Sequence, residues 1–283
     1  MRIPIILLNF NSSADCRKCI SYLKRQQGVE LEIIIVDNCS QLDDQKTVEQ
    51  LCKEQGCTFI PAKENRGYNT GNNIGLRYAI SKGYKYALIA NPDMEFPQTD
   101  YIVRLIEVME QDKTIAVCGS NIEGLDGKRQ SPRSFTTYWT EVLWFVNGLR
   151  KLINRKHSII LNPQNQYCDI LMGSCIFVRT SFIKQIGYLD ENIFLYCEEP
   201  ILGKQVVAAG MRMYYLHNAT AVHAHVESQK GSFVKRHDLY WHSRWYYLSH
   251  YAGYSRCQLA LMWFSKKLFY IFKRITFIIC GIE

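Results

Sequence analysis

Two acidic pairs and a pair of histidines in this 283-residue chain have the residue types and spacing that chemistry needs. Asp93 and Glu95 follow an apolar run, Tyr86-Ala87-Leu88-Ile89-Ala90, by way of Asn91-Pro92. Carboxylates two residues apart offer hard oxygen ligands of the kind Mg²⁺ or Mn²⁺ prefers, and such ions commonly share their coordination with substrate phosphates. A nucleotide diphosphate fits that description. Asn, Pro and Asp are also frequent turn residues, so the same stretch reads equally as a plain turn. Glu198 and Glu199 are adjacent, and carboxylates that cannot both ionise freely push one pKa towards neutrality, where it serves as a general base. The plainer reading is an acidic helix start with Pro200 in its first turn. In Ala221-Val222-His223-Ala224-His225 the alternation of a strand puts both imidazoles on one face, within reach of one metal ion. Taken singly, each is as well explained as a surface or core histidine.

The surrounding pattern supplies elements to hold these groups. Residues 3–8, 31–36, 57–61 and 86–90 read as strands, and 15–27, 43–55 and 69–82 as helices between them. Strand and helix alternating in this way predict an α/β fold with a mostly parallel sheet, helices on both faces, and polar loops gathered along one edge. Asn9, Asn11, Asp37, Asn65 and Asp93 all fall on that edge. In open α/β sheets, ligands bind in the crevice outside the carboxyl ends of the strands. Residues 1–125 and 126–250 are expected to form the two halves of one domain that runs to residue 250.

Length and an apolar fraction of 47% suit one large globular domain with a real core. The eleven cysteines lack paired spacing apart from Cys16 and Cys19, which points to a reducing cytoplasm rather than a zinc site or disulfide framework. The amino terminus reads as a first strand, too short in its apolar run for a signal peptide. The net charge of +8 is unevenly spread: residues 128–160 carry seven Lys/Arg against Glu141 alone, and 228–283 carry nine against Asp238 and Glu283. Interleaved aromatics here accompany long apolar residues rather than an RNA-binding motif, so an anionic membrane surface is expected as partner and nucleic acid is not.

Four fragments in order, Leu8-Asn9-Phe10-Asn11-Ser12, Ile35-Val36-Asp37-Asn38-Cys39-Ser40, Asn65-Arg66-Gly67-Tyr68-Asn69-Thr70-Gly71-Asn72-Asn73-Ile74-Gly75 and Asn91-Pro92-Asp93, resemble the family 2 glycosyltransferases. The likeness is to the rhamnosyltransferase-like branch of bacterial capsule and O-antigen synthesis. It continues through Gly173-Ser174-Cys175, Gly187-Tyr188-Leu189-Asp190-Glu191, Tyr196-Cys197-Glu198-Glu199 and Val222-His223, and covers roughly residues 3–250. The resemblance implies a GT-A fold, with residues 1–125 its nucleotide-binding half and 126–250 its acceptor-binding half, and inverting sugar transfer from a nucleotide diphosphate, dependent on Mg²⁺ or Mn²⁺. It implies nucleotide or donor binding at Asn9, Asn11, Asp37, Asn65, Arg66, Gly67, Asn72, Asn73, Asn91 and Asp93. Asp37 would accept hydrogen bonds from base or ribose, although a helix N-cap is its plainer role. The Asn- and Gly-rich stretch would bring backbone and amides close to a ligand. Asp93 holds the metal position of the family's D-x-D, with Asn91 replacing the first aspartate. Gly173 and Ser174 would lie on the acceptor side. Glu199 takes the place of the family's base, usually Asp, with Glu198 its neighbour, and His223 that of a late histidine completing the metal or phosphate shell, with His225 the alternative.

Residues 128–165 interrupt the alternation and are expected beside the acceptor. There Trp139, Trp144, Phe145, Leu149, Leu152 and Ile153 with Arg150, Lys151, Arg155 and Lys156 suggest an amphipathic helix towards lipid or a lipid-linked acceptor. Residues 251–283 read as a basic amphipathic tail, with Lys266-Lys267 and Lys273-Arg274 forming one stripe seven residues apart, lying on the inner face of the cell membrane without crossing it. The alternative is a helix packed on the catalytic domain or on a second subunit, and a homodimer is compatible with the chain. The whole reads as an enzyme transferring rhamnose from dTDP-rhamnose, or else a hexose from its UDP form, to a glycan or lipid-linked acceptor. Two other classes compete. A sugar nucleotidyltransferase would want a glycine-rich phosphate loop after the first strand, where Asn9-Phe10-Asn11-Ser12-Ser13 has no glycine. A silent sugar-binding relative would turn Glu198 and Glu199 away from the crevice.

Overall fold

A computed structural model describes residues 1–143, 160, 163–224 and 233–280. Strand β1 (Arg2–Asn9) is buried on both faces from Ile3 onward. Alternate side chains feed two cores, Ile3, Ile5 and Leu7 into one and Ile6 and Leu8 into the other. It pairs in parallel with β2 (Glu30–Asp37) along its whole length and with β4 (Tyr86–Ala90), while β3 (Thr58–Pro61) extends the sheet beyond β2. The crossovers are α1 (Ser13–Leu23), α2 (Leu42–Gln55) and α3 (Tyr68–Ser81). Helix α1 stops four residues before the sequence pattern does. Gln26 and Gln27 leave the helix to bond the carbonyls of Gln98 and Thr99, and Gly28 follows at φ +74°.

Past β4 the sheet becomes mixed. Strand β8 (Cys175–Arg179) lies antiparallel between β4 and β6 (Ile115–Gly124), and β9 (Arg212–His223) runs parallel to β6. Two short strands, β5 (Met94–Glu95) and β7 (Gln166–Cys168), pair antiparallel with β9. The order is β3-β2-β1-β4-β8-β6-β9-β5. The parallel half is the part that alternation anticipates; the mixed half arises from pairings between distant segments, and one sheet joins both halves of the chain. Helices α1, α2 and α4 (Tyr101–Gln111) cover one face, and α3, α6 (Thr180–Gln185) and α7 (Glu198–Ala208) the other. A third cluster, including Val142, Ile193, Cys197, Ile201, Leu248 and Met262, ties the start of α7 to α5 (Tyr138–Val142), α8 (Phe233–His250) and α9 (Arg256–Cys280). All described cysteines are free, and Cys16 and Cys19 are core residues of α1.

Candidate active site

The carboxyl end of β4 opens into a cleft of about 670 Å³, within the size range of small-molecule sites. Pro92 ends the strand. Asn91 N–H donates to the Ser174 carbonyl at 2.8 Å, and Met94 N–H closes back on the Asn91 carbonyl at 3.2 Å. The turn reading of this stretch therefore holds, and the turn carries Asn91 to the wall of the cleft. Strand β5 sets Met94 opposite His223 of β9, and Ala224 N–H donates to the Asp93 carbonyl at 2.9 Å. His223 Nε2 consequently lies 3.3 Å from Asp93 Oδ1, while its Nδ1 is 3.0 Å from Gln130 Oε1. One carboxylate and one imidazole directed at a common point suit a divalent cation that completes its shell with phosphate oxygens. Among the described residues no cluster of three or more His, Cys, Asp or Glu forms a cage, and His225 lies outside them.

Opposite this pair, Tyr196 and Cys197 adopt left-handed backbone at φ +72° and +66°, a sharp entry to α7 that directs Glu198 and Glu199 into the cleft. Glu199 Oε1 accepts from Gly173 N–H at 3.4 Å. The Tyr68 hydroxyl lies 2.9 Å from the Gly173 carbonyl and 3.0 Å from Asn91 Oδ1, so one ring links both acidic stretches. Glu198 Oε1 is buried with no hydrogen-bond partner among the described residues, as is Ser174 Oγ. Burial, and then the charge of Glu199, push the Glu198 carboxyl up to about 7. Burial, followed by the two glutamates, also drives the Tyr68 hydroxyl well above its ordinary value.

Lining residues that escape the sequence reading include Arg133, Tyr240, Arg244 and Tyr247. Arg133 is held by a two-way backbone bridge to Ile170 and by its own Nε–H donating to the Gln130 carbonyl at 3.1 Å. Arg244 pairs with Glu141, whose other oxygen lies 3.4 Å from Lys266 Nζ. Burial raises the Glu141 carboxyl, but Arg244 and Lys266 outweigh it and hold the group below its usual range. Glu141 is the lone acid of residues 128–160, and that isolation is the signal in the sequence for a buried ion pair. Thr136 and Glu141 also line the cleft, so this stretch does lie beside the site. The amphipathic helix expected around Trp144 to Lys156 lies outside the described residues.

Several expected ligand contacts are spent on the fold instead. Glu95 bonds Lys18 at 2.5 Å and the Tyr22 hydroxyl at 2.8 Å, away from Asp93, so the two carboxylates do not act together. Asn73 is fully buried: its Nδ2 donates to the Leu189 carbonyl and to Glu191, and its Oδ1 accepts from Leu189 N–H. Asn72, equally buried, donates to the Tyr68 carbonyl. Residues 68–81 are helix packed on β1, which commits Asn73 to the fold, while Asn72 Oδ1 is buried with no partner among the described residues. A Cβ at Gly71 would fall 2.4 Å from Leu8, and one at Gly75 would fall 2.5 Å from Ile6, so these glycines admit the sheet rather than a ligand. Gly67, at φ +104°, lets the chain pass the Phe194 carbonyl, which a Cβ would meet at 2.3 Å.

A second polar group lies at the ends of β1 and β2. Asp37 is fully buried and accepts from Asn9, Gln45 and the Ser40 N–H, while Asn9 Nδ2 also reaches Asp44 at 2.8 Å. Asn11, in left-handed backbone at φ +54°, accepts from Gln41 N–H at 2.7 Å. Asn65 receives Asn38 Nδ2 and Gly67 N–H, and Arg66 is exposed beside Glu64 at 3.7 Å. These residues build one wall of the sheet edge. Asn91, Gly173, Ser174, Glu198, Glu199 and His223 converge on the cleft itself, with Asp93 beside it.

Comparison with known proteins places this geometry in context. The Haloferax volcanii low-salt glycan biosynthesis hexosyltransferase Agl10 is 30% identical over 200 residues, 70% of this chain and 59% of its own length. The Escherichia coli rhamnosyltransferase WbbL is 25% identical, over 82% of this chain and 87% of its own. The Mycobacterium tuberculosis N-acetylglucosaminyl-diphospho-decaprenol L-rhamnosyltransferase is 23% identical, over 78% and 75%. Among solved structures, the Pyrobaculum calidifontis mannosyltransferase PcManGT in complex with GDP-Man and Mn²⁺ superposes with TM-score 0.59 at 14% identity, covering 94% of this chain and 68% of that one. Staphylococcus aureus TarS 1-349 in complex with UDP-GlcNAc also gives 0.59, at 15% identity over 87% and 65%. The fold is therefore GT-A. Residues 5–187 match Glycosyl transferase family 2, and the chain is a member of that family, a rhamnosyltransferase-like glycosyltransferase.

Proposed function

We propose that this enzyme transfers a deoxyhexose, rhamnose first, from a nucleoside diphosphate to a hydroxyl of a growing lipid-linked glycan, with inversion at the anomeric carbon. The observation that carries the reading is the convergence of Asn91, Gly173, Ser174, Glu198, Glu199 and His223, with Asp93 beside them, on one cleft. Glutamates that face the cleft argue against a silent sugar-binding relative. Glu199 takes the acceptor hydroxyl's proton as that oxygen attacks, and the nucleoside diphosphate leaves from the opposite face. Asp93 and His223 would hold Mg²⁺ or Mn²⁺, which would supply positive charge to neutralise the leaving diphosphate. Arg133 and Tyr68 line the path between the two sides. The residues at the ends of β1 and β2, Asn9, Asn11, Asp37 and Asn65 with Arg66, form the base and ribose side.

The relatives' names, two rhamnosyltransferases and one of them acting on a diphospho-decaprenol glycan, support the donor and a lipid diphosphate acceptor. The hexosyltransferase relative keeps a UDP-hexose as second donor. We place the enzyme at the cytoplasmic membrane surface through α9, whose outward side carries exposed Trp263 and Phe264. Thermal-shift and single-turnover assays of dTDP-rhamnose against UDP-hexoses, with Mn²⁺ or chelator, test the assignment. Metal-dependent stabilisation by dTDP-rhamnose is expected, and Asp93→Ala should abolish it while the unliganded melting point stays within a few degrees. Equal nucleotide binding by that variant, with or without chelator, overturns the metal assignment.

A further inference from the structure

We propose that Gln130 is a positioning residue that lets His223 exchange its ring proton between nitrogens as a divalent cation enters or leaves. This rests on the assignment of Asp93 and His223 to the cation. Strand β6 ends at Gly124, which pairs in register with His223 of β9. The chain turns back through Gly127, at φ +68°, so that Gln130 N–H donates to the Ile122 carbonyl at 2.8 Å. The Gln130 amide then lies over Gly124, where a Cβ would stand 3.2 Å from its Nε2, and its Oε1 is 3.0 Å from His223 Nδ1. The imidazole is buried and its other nitrogen faces Asp93 Oδ1 at 3.3 Å.

A neutral imidazole has one N–H and one lone pair. Facing Asp93 Oδ1 without a cation, Nε2 is favoured as the N–H, which leaves Nδ1 as an acceptor in need of a donor. With a cation between them, Nε2 must present its lone pair, the proton moves to Nδ1, and Nδ1 needs an acceptor. A carboxylate or backbone carbonyl at residue 130 would satisfy only the second state. A primary amide satisfies both, because rotating it by half a turn exchanges NH₂ for C=O in front of the ring. Neither state then leaves a buried ring nitrogen unsatisfied, and the cation can be gained or lost without a standing penalty at Nδ1.

The test uses the full chain labelled with ¹⁵N-histidine, the His223 signals being assigned by their loss in His223→Gln. Ring ¹⁵N shifts are read with chelator, and then with Mg²⁺ plus UDP, dTDP or inorganic pyrophosphate. The proton is expected on Nε2 without the cation and on Nδ1 with it. In parallel, Mn²⁺ binding is measured by electron paramagnetic resonance. Gln130→Leu should weaken it about tenfold or more, and Gln130→Glu, which accepts only, should restore it to within a few fold while fixing the proton on Nδ1 in both conditions. The same tautomer in both conditions, or Gln130→Leu binding Mn²⁺ as tightly as the unaltered chain, overturns the role of Gln130 alone. An unaltered chain that binds no Mn²⁺ with any of the three diphosphates overturns the cation assignment with it. The tautomer measurement needs no variant at residue 130, so it stands even if Gln130→Leu fails to fold.

Discussion

Glu198 and Glu199 are neighbours in the chain but occupy different surroundings, and the difference assigns their work. Glu199 is tied to Gly173 N–H, whereas Glu198 has a buried oxygen without a partner among the described residues and is pushed up to about 7 by burial and by the charge beside it. Burial thus favours the protonated form of Glu198, and Glu199, tied to Gly173 N–H and facing the cleft, is the one proposed to accept the proton of the incoming hydroxyl. Glu199→Gln should lower turnover by roughly 10²- to 10⁴-fold with little change in donor affinity. A large loss on Glu198→Gln with little on Glu199→Gln would transfer the role of base. Stability carries a second signature. Unfolded, Glu198 ionises near its ordinary 4.5; folded, it holds its proton to about 7. Stability must then fall as pH rises from 4.5 to 7 and stay reduced above it. Glu198→Gln should remove that decline, gaining about 2–3 kcal/mol over the unaltered chain at pH 8 and nothing near pH 4.5. Urea melts at the two pH values measure it, and a variant no more stable at pH 8 would contradict the burial of this carboxyl.

Helix α3 shows why some side chains near the site are not of it. Its asparagines lie in a stretch whose composition suggests ligand contact, yet the partner of Asn73 is the backbone of Leu189, more than a hundred residues further on. No local pattern announces such a partner. Strands β1 to β4 are readable because each is an apolar run closed by a polar turn, and Asp93, Glu199 and His223 are readable because a short motif carries them. Arg133, Tyr240 and Arg244 reach the cleft only after a backbone bridge and the return of α8, so their role is a product of tertiary structure. Asn73→Ala should accordingly behave as a fold variant. It leaves both backbone groups of Leu189 without their partner, at a cost of about 1–3 kcal/mol, and it should leave the KM for the donor within a few fold. A change in KM with no loss in melting temperature would return Asn73 to the donor site.

On the scale of the whole molecule, α9 joins the cleft to the surface proposed to meet the membrane. One side of the helix packs inward: Met262 is fully buried, the Ser265 hydroxyl donates to the Val142 carbonyl at 2.6 Å, and Lys266 faces Glu141 at 3.4 Å. The single basic stripe suggested by the sequence is therefore broken, since Lys266 serves the ion pair behind the cleft while Lys267 lies outward over the Trp263 ring at 4.7 Å. Leu261, Phe264, Leu268 and Ile271 recur at helical spacing on the side away from the domain, each about half exposed. Among the described residues no helix is long and apolar enough to cross a membrane. An exposed apolar stripe with Lys267 beside it suits a helix lying in the headgroup layer, where each Lys or Arg adds about 1 kcal/mol with anionic lipid. Truncating α9 is a poor probe, because it would also uncover Met262 and strip Glu141 of Lys266. Trp263→Ser with Phe264→Ser, and separately Lys267→Glu, change the outward side alone. Each should reduce flotation with phosphatidylglycerol vesicles at low salt at least tenfold while the melting temperature holds. Lys266→Glu, which sets a second acid against Glu141 and leaves Arg244 alone to balance both, should instead lower the melting temperature without releasing the folded protein from vesicles. Unaltered protein that stays unbound at low salt would exclude the membrane as the partner of this helix.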